Sequence, residues 1–289
     1  MRVGLAGLGR MGAPMAHNIA RAGFNLVVWN RTASKAQAFA EETGCAVAQT
    51  PRDLAKRCDV VISMLADDAS SEAFHLGEHG ILAVNEPSCV VVMGTVSPDH
   101  IAALVEAAPG GVSIIDAPVS GATQAARQAQ LLIMAGCTEQ TGAALAPLFD
   151  AMGKRTVYLG RRGAGAIMKL AVNALIHGLN QTVSEALSLT DKAGIAADLA
   201  FDVIEASAAA APMLSYRRPL YLDDRAHDVT FTVALARKDM EITAALARDF
   251  GVAFPQGSET LARLRDAEAR GYGDRDMAAM RDYMRKESP

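Results

Sequence analysis

The sequence predicts an α/β protein: an N-terminal doubly wound, largely parallel sheet, a long interdomain helix, and a C-terminal all-α domain. Three observations predict it. Short β-branched runs alternate with helical patterns through the first half. A proline-free helical pattern then runs from Ala164 to Ala193. Every periodic stretch after Gly194 has helical spacing.

Each element follows from its residues. Arg2 to Ala6 is a compact apolar run. Met11 to Ala22 has helical spacing and closes at Gly23; Asn25 to Trp29 is apolar; Ser34 to Glu42 is helical and closes at Gly44. Asp59 to Leu65 and Ser88 to Met93 are rich in β-branched residues, and Val112 to Ile115, Leu131 to Met134 and Thr156 to Leu159 continue the series. Strand and helix repeated in this way predict a parallel sheet covered on both faces. The first domain is expected to span residues 1–162 and the second 163–289. The pattern from Ala164 to Ala193, stopped by Gly194, would be about 45 Å long at 1.5 Å per residue. That length suits a helix linking two domains or forming a subunit interface. Ala197 to Ala208, Phe231 to Asp249, Gly257 to Arg270 and Asp276 to Lys286 are further predicted helices. Ala206 to Ala211 reads as a helix end before Pro212.

Composition bounds the function. The 289 residues are 51% hydrophobic, which supplies apolar surface for a core and excludes disorder as the main state. A formal charge of −4, no long basic run and 5% aromatics argue against a nucleic-acid binder. Cysteines 45, 58, 89 and 137 lack metal-pair spacing and read as small apolar residues in a reducing compartment. The first strand begins at Arg2, leaving no room for a leader, and no apolar stretch reaches the ~18 residues of a membrane helix. A cytoplasmic protein with no membrane partner is expected.

Gly7-Leu8-Gly9-Arg10-Met11-Gly12 is a G-x-G-x-x-G between a strand and a helix, with a second strand following at once. That context makes it a dinucleotide fingerprint of the Rossmann type. Gly7 permits the tight turn, Gly9 the approach of backbone N–H groups to a pyrophosphate, and Gly12 close helix–sheet packing. The anion would sit on the helix N-terminus. NAD sites usually place a carboxylate at the end of the second strand, whereas this chain has Asn30-Arg31-Thr32. Nothing there repels a 2′-phosphate and Arg31 can pair with one, so NADP(H) is preferred, with NAD(H) as the alternative.

Lys169 and Asn173, at i and i+4, share one helix face among Ile167, Met168, Leu170, Ala171 and Val172. A lysine that loses solvation in such a setting becomes a proton donor or acceptor near neutral pH. Asn173 can orient either the ammonium or a substrate oxygen. Gly163 and Gly165 permit close backbone approach. Alone, a helical lysine more often extends to solvent; the glycine loop is what makes the pair notable.

With these motifs in order, the chain resembles the β-hydroxyacid dehydrogenase family over nearly its whole length. This family includes 3-hydroxyisobutyrate dehydrogenase, tartronate semialdehyde reductase and the γ-hydroxybutyrate (succinic semialdehyde) reductases. Gly7 to Ala16 is similar to the family's opening motif, Asp116-Ala117-Pro118-Val119-Ser120-Gly121 to its substrate motif, Gly163 to Asn173 to its catalytic motif, and Phe231 with Lys238-Asp239 to its late motif. The resemblance implies Lys169 as catalytic lysine, with Asn173 beside it. It implies Ser120, Gly121, Ala122 and Thr95 at the substrate. Leu65, Ala66, Thr95, Phe231 and Lys238 then join Gly7–Gly12 and Asn30–Thr32 at the coenzyme. It implies interconversion of a small carboxylate-bearing hydroxyacid and its semialdehyde, and a homodimer or homotetramer. The chain departs from the family at Gly94 (usually Ser), Ala122 and Ala129 (frequently Gly) and Val172 (commonly Asn). Arg127 matches an arginine of some hydroxyisobutyrate-type members.

Other residues carry less. His75 and His79 are spaced like metal ligands, but Gly77 and Gly80 argue for a loop and no third ligand is evident, so no metal is expected. His177, one turn beyond Asn173, reads as a core histidine rather than a site residue. Arg217 and Arg218 read equally as a substrate or subunit contact and as a solvated face. Asp239 reads as a local partner of Lys238, and Met64, Met93, Met134 and Met168 as core. A non-catalytic NADP(H)-binding protein is the rival class, disfavoured by Lys169. An imine reductase usually lacks that lysine, and a phosphogluconate dehydrogenase is a much longer chain.

Overall fold

The computed structural model describes residues 1–287 and divides into two compact units, Met1–Lys169 and Leu170–Pro289. In the first unit β1 (Arg2–Ala6), α1 (Gly12–Arg21), β2 (Asn25–Trp29), α2 (Ala33–Thr43), β3 (Ala46–Val47), α3 (Pro51–Arg57), β4 (Val60–Ser63), α4 (Asp68–His75), β5 (Cys89–Val92), α5 (Pro98–Ala107) and β6 (Ser113–Asp116) alternate. The strands form one parallel sheet in the order β3-β2-β1-β4-β5-β6. The pleat sends alternate residues to two cores. Val3, Leu5, Val28, Ile62 and Ile115 pack with Met15 and Ile19 of α1 on one face. Val27, Val61, Val90 and Ile114 pack with Leu54, Phe74 and Ile101 on the other. Helix starts carry their own caps: the Thr50, Asp67 and Ser97 side chains accept the N–H groups of Asp53, Ser70 and His100.

The strand series expected to continue in one sheet does not. After β6, β7 (Val119–Ser120) pairs antiparallel with β8 (Leu131–Ala135), across α6 (Ala122–Arg127). Beyond α7 (Glu139–Gly142) and α8 (Ala146–Asp150), β9 (Gly153–Tyr158) adds parallel to β8. These three strands form a separate sheet. Only Ala117-Pro118 separates β6 from β7, far too short for the crossover a parallel neighbour requires. Pro118 also offers no N–H to a ladder.

α9 (Ala164–Lys192) leaves the first unit and enters the second. It is followed by α10 (Ala197–Ala206), α11 (Pro212–Leu222), α12 (Val233–Asp249), α13 (Pro255–Ala267) and α14 (Met280–Glu287). No strand occurs in this all-helical unit among the described residues. Its core joins Leu187, Phe201, Leu214, Met240, Leu264, Met280 and Tyr283. α11 has no counterpart in the sequence reading. Pro212 starts it, and Pro219 lies inside it, where a proline normally argues against helix. The buried face of α9 is partly polar: Asn180 donates to the Met277 carbonyl (3.0 Å) and accepts from the Tyr221 hydroxyl (2.7 Å). No described helix is long and apolar enough to cross a membrane.

Candidate active site

Parallel strands deliver their following loops to one edge, so β1, β4, β5 and β6 place Gly7–Gly12, Leu65–Ala66, Thr95 and Asp116 at the carboxyl end of the sheet. β1 and β4 are adjacent while the chain runs outward from each in opposite directions, which makes this the topological switch point. Each glycine of the loop has its own reason. Gly7 has φ +95°, and a Cβ there would lie 2.3 Å from the Met64 carbonyl oxygen. A Cβ on Gly12 would lie 1.8 Å from the Gly7 carbonyl oxygen. Gly9 is exposed, and a Cβ there would meet nothing within 4 Å. Two glycines are thus required by packing, and the third lies beside open space. Arg10 is exposed and Met11 half-buried against the core beneath. That arrangement fits a dinucleotide whose phosphates approach the backbone at Gly9.

The β2 terminus is tied to this loop. Asn30 Oδ1 accepts the Leu8 N–H at 2.9 Å, and its Nδ2 donates to the Thr32 carbonyl at 3.0 Å. Asn30 therefore has a structural task, while Arg31 and Thr32 are exposed. Leu65 and Thr95 are half-buried and Ala66 is exposed. Gly94 stands where the family usually has serine; a Cβ there would be 2.3 Å from the Leu65 carbonyl oxygen. The exit loops of β4 and β5 thus touch backbone to backbone.

Ser120 ends β7, and Gly121 (φ +140°) and Ala122 (φ +54°) turn the chain into α6. α6 packs on α1: Asn18 Nδ2 donates to the Ala126 carbonyl at 2.6 Å. Ala122 and Ala129, the departures from glycine, both keep φ +54°, the left-handed conformation that glycine adopts without strain.

The residue that sequence reasoning quoted but gave no task is Asp116. It ends β6 and is buried. Its Oδ1 accepts the Gly163 N–H at 2.8 Å and its Oδ2 the Ala166 N–H at 2.9 Å. The carboxylate thus holds the first turn of α9, where two orphan N–H groups and the positive helix end meet it. Burial pushes its pKa up, partly offset by these backbone donors. Gly165 fits only because it lacks a side chain: a Cβ would lie 2.4 Å from the Met134 carbonyl oxygen and 2.9 Å from Asp116 Oδ2. One turn further along α9 comes Lys169, half-buried. Its neighbour Met168 is 39% exposed, which corrects its reading as core; Met93 and Met134 are buried as expected.

In the second unit Asn173, buried, donates through Nδ2 to Asp239 Oδ2 at 2.5 Å. Lys238 Nζ lies 2.9 Å from Asp239 Oδ1. His177 Nε2 lies 4.0 Å from Asp239 Oδ2, and its ring is tilted 31° to that of Phe231 at 5.6 Å. Burial raises the Asp239 carboxyl, but the neighbouring His177 imidazole and the charge of Lys238 outweigh it and push the pKa down to about 2. Asp239 is more than a local partner of Lys238. No sequence signal exposes this, since Asn173 and Asp239 are 66 residues apart.

Arg217 is not on a solvated face: it is buried and paired with Asp276, and it donates to Thr230 Oγ1 at 2.8 Å. Arg218 bridges α11 to Asp202 (2.8 Å) and Glu205 (2.9 Å) of α10. His75 is buried against Ser71 while His79 is exposed, and among the described residues no group of three or more His, Cys, Asp or Glu is placed to hold a metal.

Comparison with known proteins agrees with this architecture. The family described as the NAD binding domain of 6-phosphogluconate dehydrogenase matches residues 2–160. The family described as NAD-binding of NADP-dependent 3-hydroxyisobutyrate dehydrogenase matches residues 163–284. The chain belongs to the NAD(P)-binding β-hydroxyacid dehydrogenase-like superfamily. Glyoxylate/succinic semialdehyde reductase 1 of Arabidopsis thaliana, a curated relative, is 33% identical over 97% of both chains. Among solved structures, 3-hydroxyisobutyrate dehydrogenase from Salmonella typhimurium superposes with a TM-score of 0.86 at 26% identity, covering 98% of this chain and 99% of that one. The 3-hydroxyisobutyrate dehydrogenase of Mycobacterium tuberculosis, solved with L-serine, gives 0.85 at 26% identity, covering 99% of this chain and 100% of that one. As a superfamily member, the chain carries an NAD(P)-binding Rossmann domain, a long helix and a helical domain.

Proposed function

We propose that this protein is an NADP(H)-dependent oxidoreductase that interconverts a small β-hydroxyacid, of the 3-hydroxyisobutyrate kind, and its semialdehyde, with Lys169 as general acid and base. One observation carries the reading. Asp116 ties the first turn of the Lys169 helix to the carboxyl end of β6, the edge that also bears the glycine loop, Leu65 and Thr95. Lys169 therefore follows within about one turn of the edge where a doubly wound sheet receives its nucleotide, which supports a role for its amine there.

Gly7–Gly12, Asn30, Arg31, Thr32, Leu65, Ala66, Thr95, Phe231 and Lys238 would hold the coenzyme. When bound, the nicotinamide supplies the hydride in reduction and takes it in oxidation. Ser120, Gly121 and Ala122, with Thr95, would hold the substrate carboxylate through hydroxyl and backbone donors. In reduction Lys169 Nζ gives a proton to the carbonyl oxygen as negative charge develops there, and its own charge stabilises that oxygen. In oxidation the neutral amine takes the hydroxyl proton. Asn173, one turn along the same helix face, orients the ammonium or the reacting oxygen.

A second reading concerns the substrate. The Arabidopsis relative is named for glyoxylate and succinic semialdehyde, which favours a reductase of such aldehydes; tartronate semialdehyde belongs to the same chemical set. A non-catalytic NADP(H)-binding protein is the rival of another class. Initial rates with NADPH and NADH, against succinic, tartronate and methylmalonate semialdehydes and glyoxylate, decide among them. NADPH-dependent turnover highest with methylmalonate semialdehyde is the expected result. Turnover with none of them, despite saturable NADPH binding, refutes the enzyme reading.

A further inference from the structure

Asp239 is a buried carboxylate with both oxygens engaged: Oδ1 by Lys238 Nζ at 2.9 Å, Oδ2 by Asn173 Nδ2 at 2.5 Å, with His177 Nε2 4.0 Å from the same Oδ2. A carboxylate only accepts, so Asn173 must turn its NH2 toward Asp239. The carbonyl oxygen of Asn173 is then on the other branch of the amide. An amide free to flip would lose that distinction, and with it a fixed acceptor one turn from Lys169. The carboxylate opposes the flip as long as Oδ2 stays within reach of Nδ2, so the residues packed around Oδ2 decide how firmly the amide is held. Lys238 sits on Oδ1 and has a four-carbon stem with 18% of its side chain exposed. His177 stands on the Oδ2 side, with only 2% of its side chain exposed, and its ring is packed on Phe231. It has few torsions to lose and little room to move.

We infer that His177 is a positioning residue: through Asp239 it fixes the amide orientation of Asn173, and so the acceptor presented beside Lys169. This inference rests on the roles proposed above for Lys169 and Asn173. It differs from the reading of His177 as a core residue in what its removal changes. A core role predicts lost stability. A positioning role predicts lost turnover at kept stability, and predicts that the loss depends on Asp239.

The test uses His177→Leu, which keeps an apolar body without a donor, and His177→Gln, which keeps a side-chain N–H. Both are made alone and with Asp239→Asn. The expected result is a kcat about tenfold lower for His177→Leu, with NADPH Kd and unfolding midpoint unchanged. His177→Gln recovers kcat to within about threefold, and His177→Leu causes no further loss once Asp239 is Asn. A readout independent of turnover accompanies it: the side-chain amide resonances of Asn173, assigned by their absence in Asn173→Asp, shift in His177→Leu and return in His177→Gln. Equal losses from His177→Leu in both backgrounds, or amide resonances that do not move, overturn the inference. If Lys169→Ala retains full turnover, the proposed catalytic reading fails instead, and the amide resonances still decide whether His177 orients Asn173.

Discussion

Gly165→Ala separates two physical effects of opposite sign. Replacing glycine by alanine in a helix ordinarily stabilises it by up to about 1 kcal/mol. Here the added Cβ would lie 2.4 Å from the Met134 carbonyl oxygen, 2.8 Å from that of Asp116 and 2.9 Å from Asp116 Oδ2. Restoring an ordinary 3.4 Å contact requires the helix to withdraw by about 1 Å. Both bonds to Asp116, now 2.8 and 2.9 Å, would then stretch beyond hydrogen-bonding length. A hydrogen bond to a charged group contributes about 1.5–3 kcal/mol, so two outweigh the helix gain and leave a net loss of about 2–5 kcal/mol. The same withdrawal carries Lys169 with it, and a 1 Å misplacement costs on the order of 100-fold in turnover. Urea unfolding gives the first quantity and steady-state kcat the second. A variant as stable as the parent, with unchanged kcat, would show that Asp116 does not hold the lysine helix where the mechanism needs it.

Three further outcomes are expected. Lys169→Ala should lower turnover by two or more orders of magnitude while NADPH Kd, measured by fluorescence titration, stays within about threefold; full activity in this variant removes Lys169 from the mechanism. Burial lowers the pKa of His75 from its ordinary 6.5 to about 4, with its hydrogen bond to the Ser71 carbonyl opposing and the nearby His100 adding to the fall. Between those values the unfolded chain takes up a proton that the folded chain refuses. Stability should fall by about 3 kcal/mol as pH drops from 6.5 to 4, and His75→Gln should flatten that part of the curve; an unchanged slope refutes it. Ala129 holds φ +54°. A left-handed alanine costs about 1–2 kcal/mol against a glycine entropy cost of about 0.5–1, so Ala129→Gly should raise stability by roughly 0.5 kcal/mol. A lower melting temperature would show that contacts of the Ala129 methyl outweigh the backbone strain.

The features legible in the sequence are those written in neighbouring residues. Gly7, Gly9 and Gly12 announce themselves because strand, turn and helix are consecutive, and Lys169 and Asn173 because a helix repeats every turn. The second sheet was not legible. β7 is two residues long, and its pairing with β8 depends on the short Ala117-Pro118 break rather than on any apolar pattern. α11 was hidden by Pro219, which local propensity reads as a helix breaker, while its own Leu214, Leu220 and Tyr221, buried in the core of the unit, hold the helix in place.

The polar contacts that position the candidate site were illegible for a different reason. Asp116 reaches Gly163 and Ala166 across 47 and 50 residues, and Asn173 reaches Asp239 across 66. A carboxylate in sequence looks the same whether it is solvated or buried, yet burial reverses its consequences: an unpaired buried charge costs several kcal/mol, so every partner becomes obligatory. The same contrast separates the positions where glycine has been replaced from one where it has not. Ala122 and Ala129 keep a glycine's dihedral angle at a modest local cost. Gly165 has no such latitude, because the atoms it would strike are the Met134 and Asp116 carbonyl oxygens and the carboxylate that caps the lysine helix. Substitution at Ala122 and Ala129 is therefore a matter of backbone strain, whereas substitution at Gly165 shifts the helix that carries Lys169.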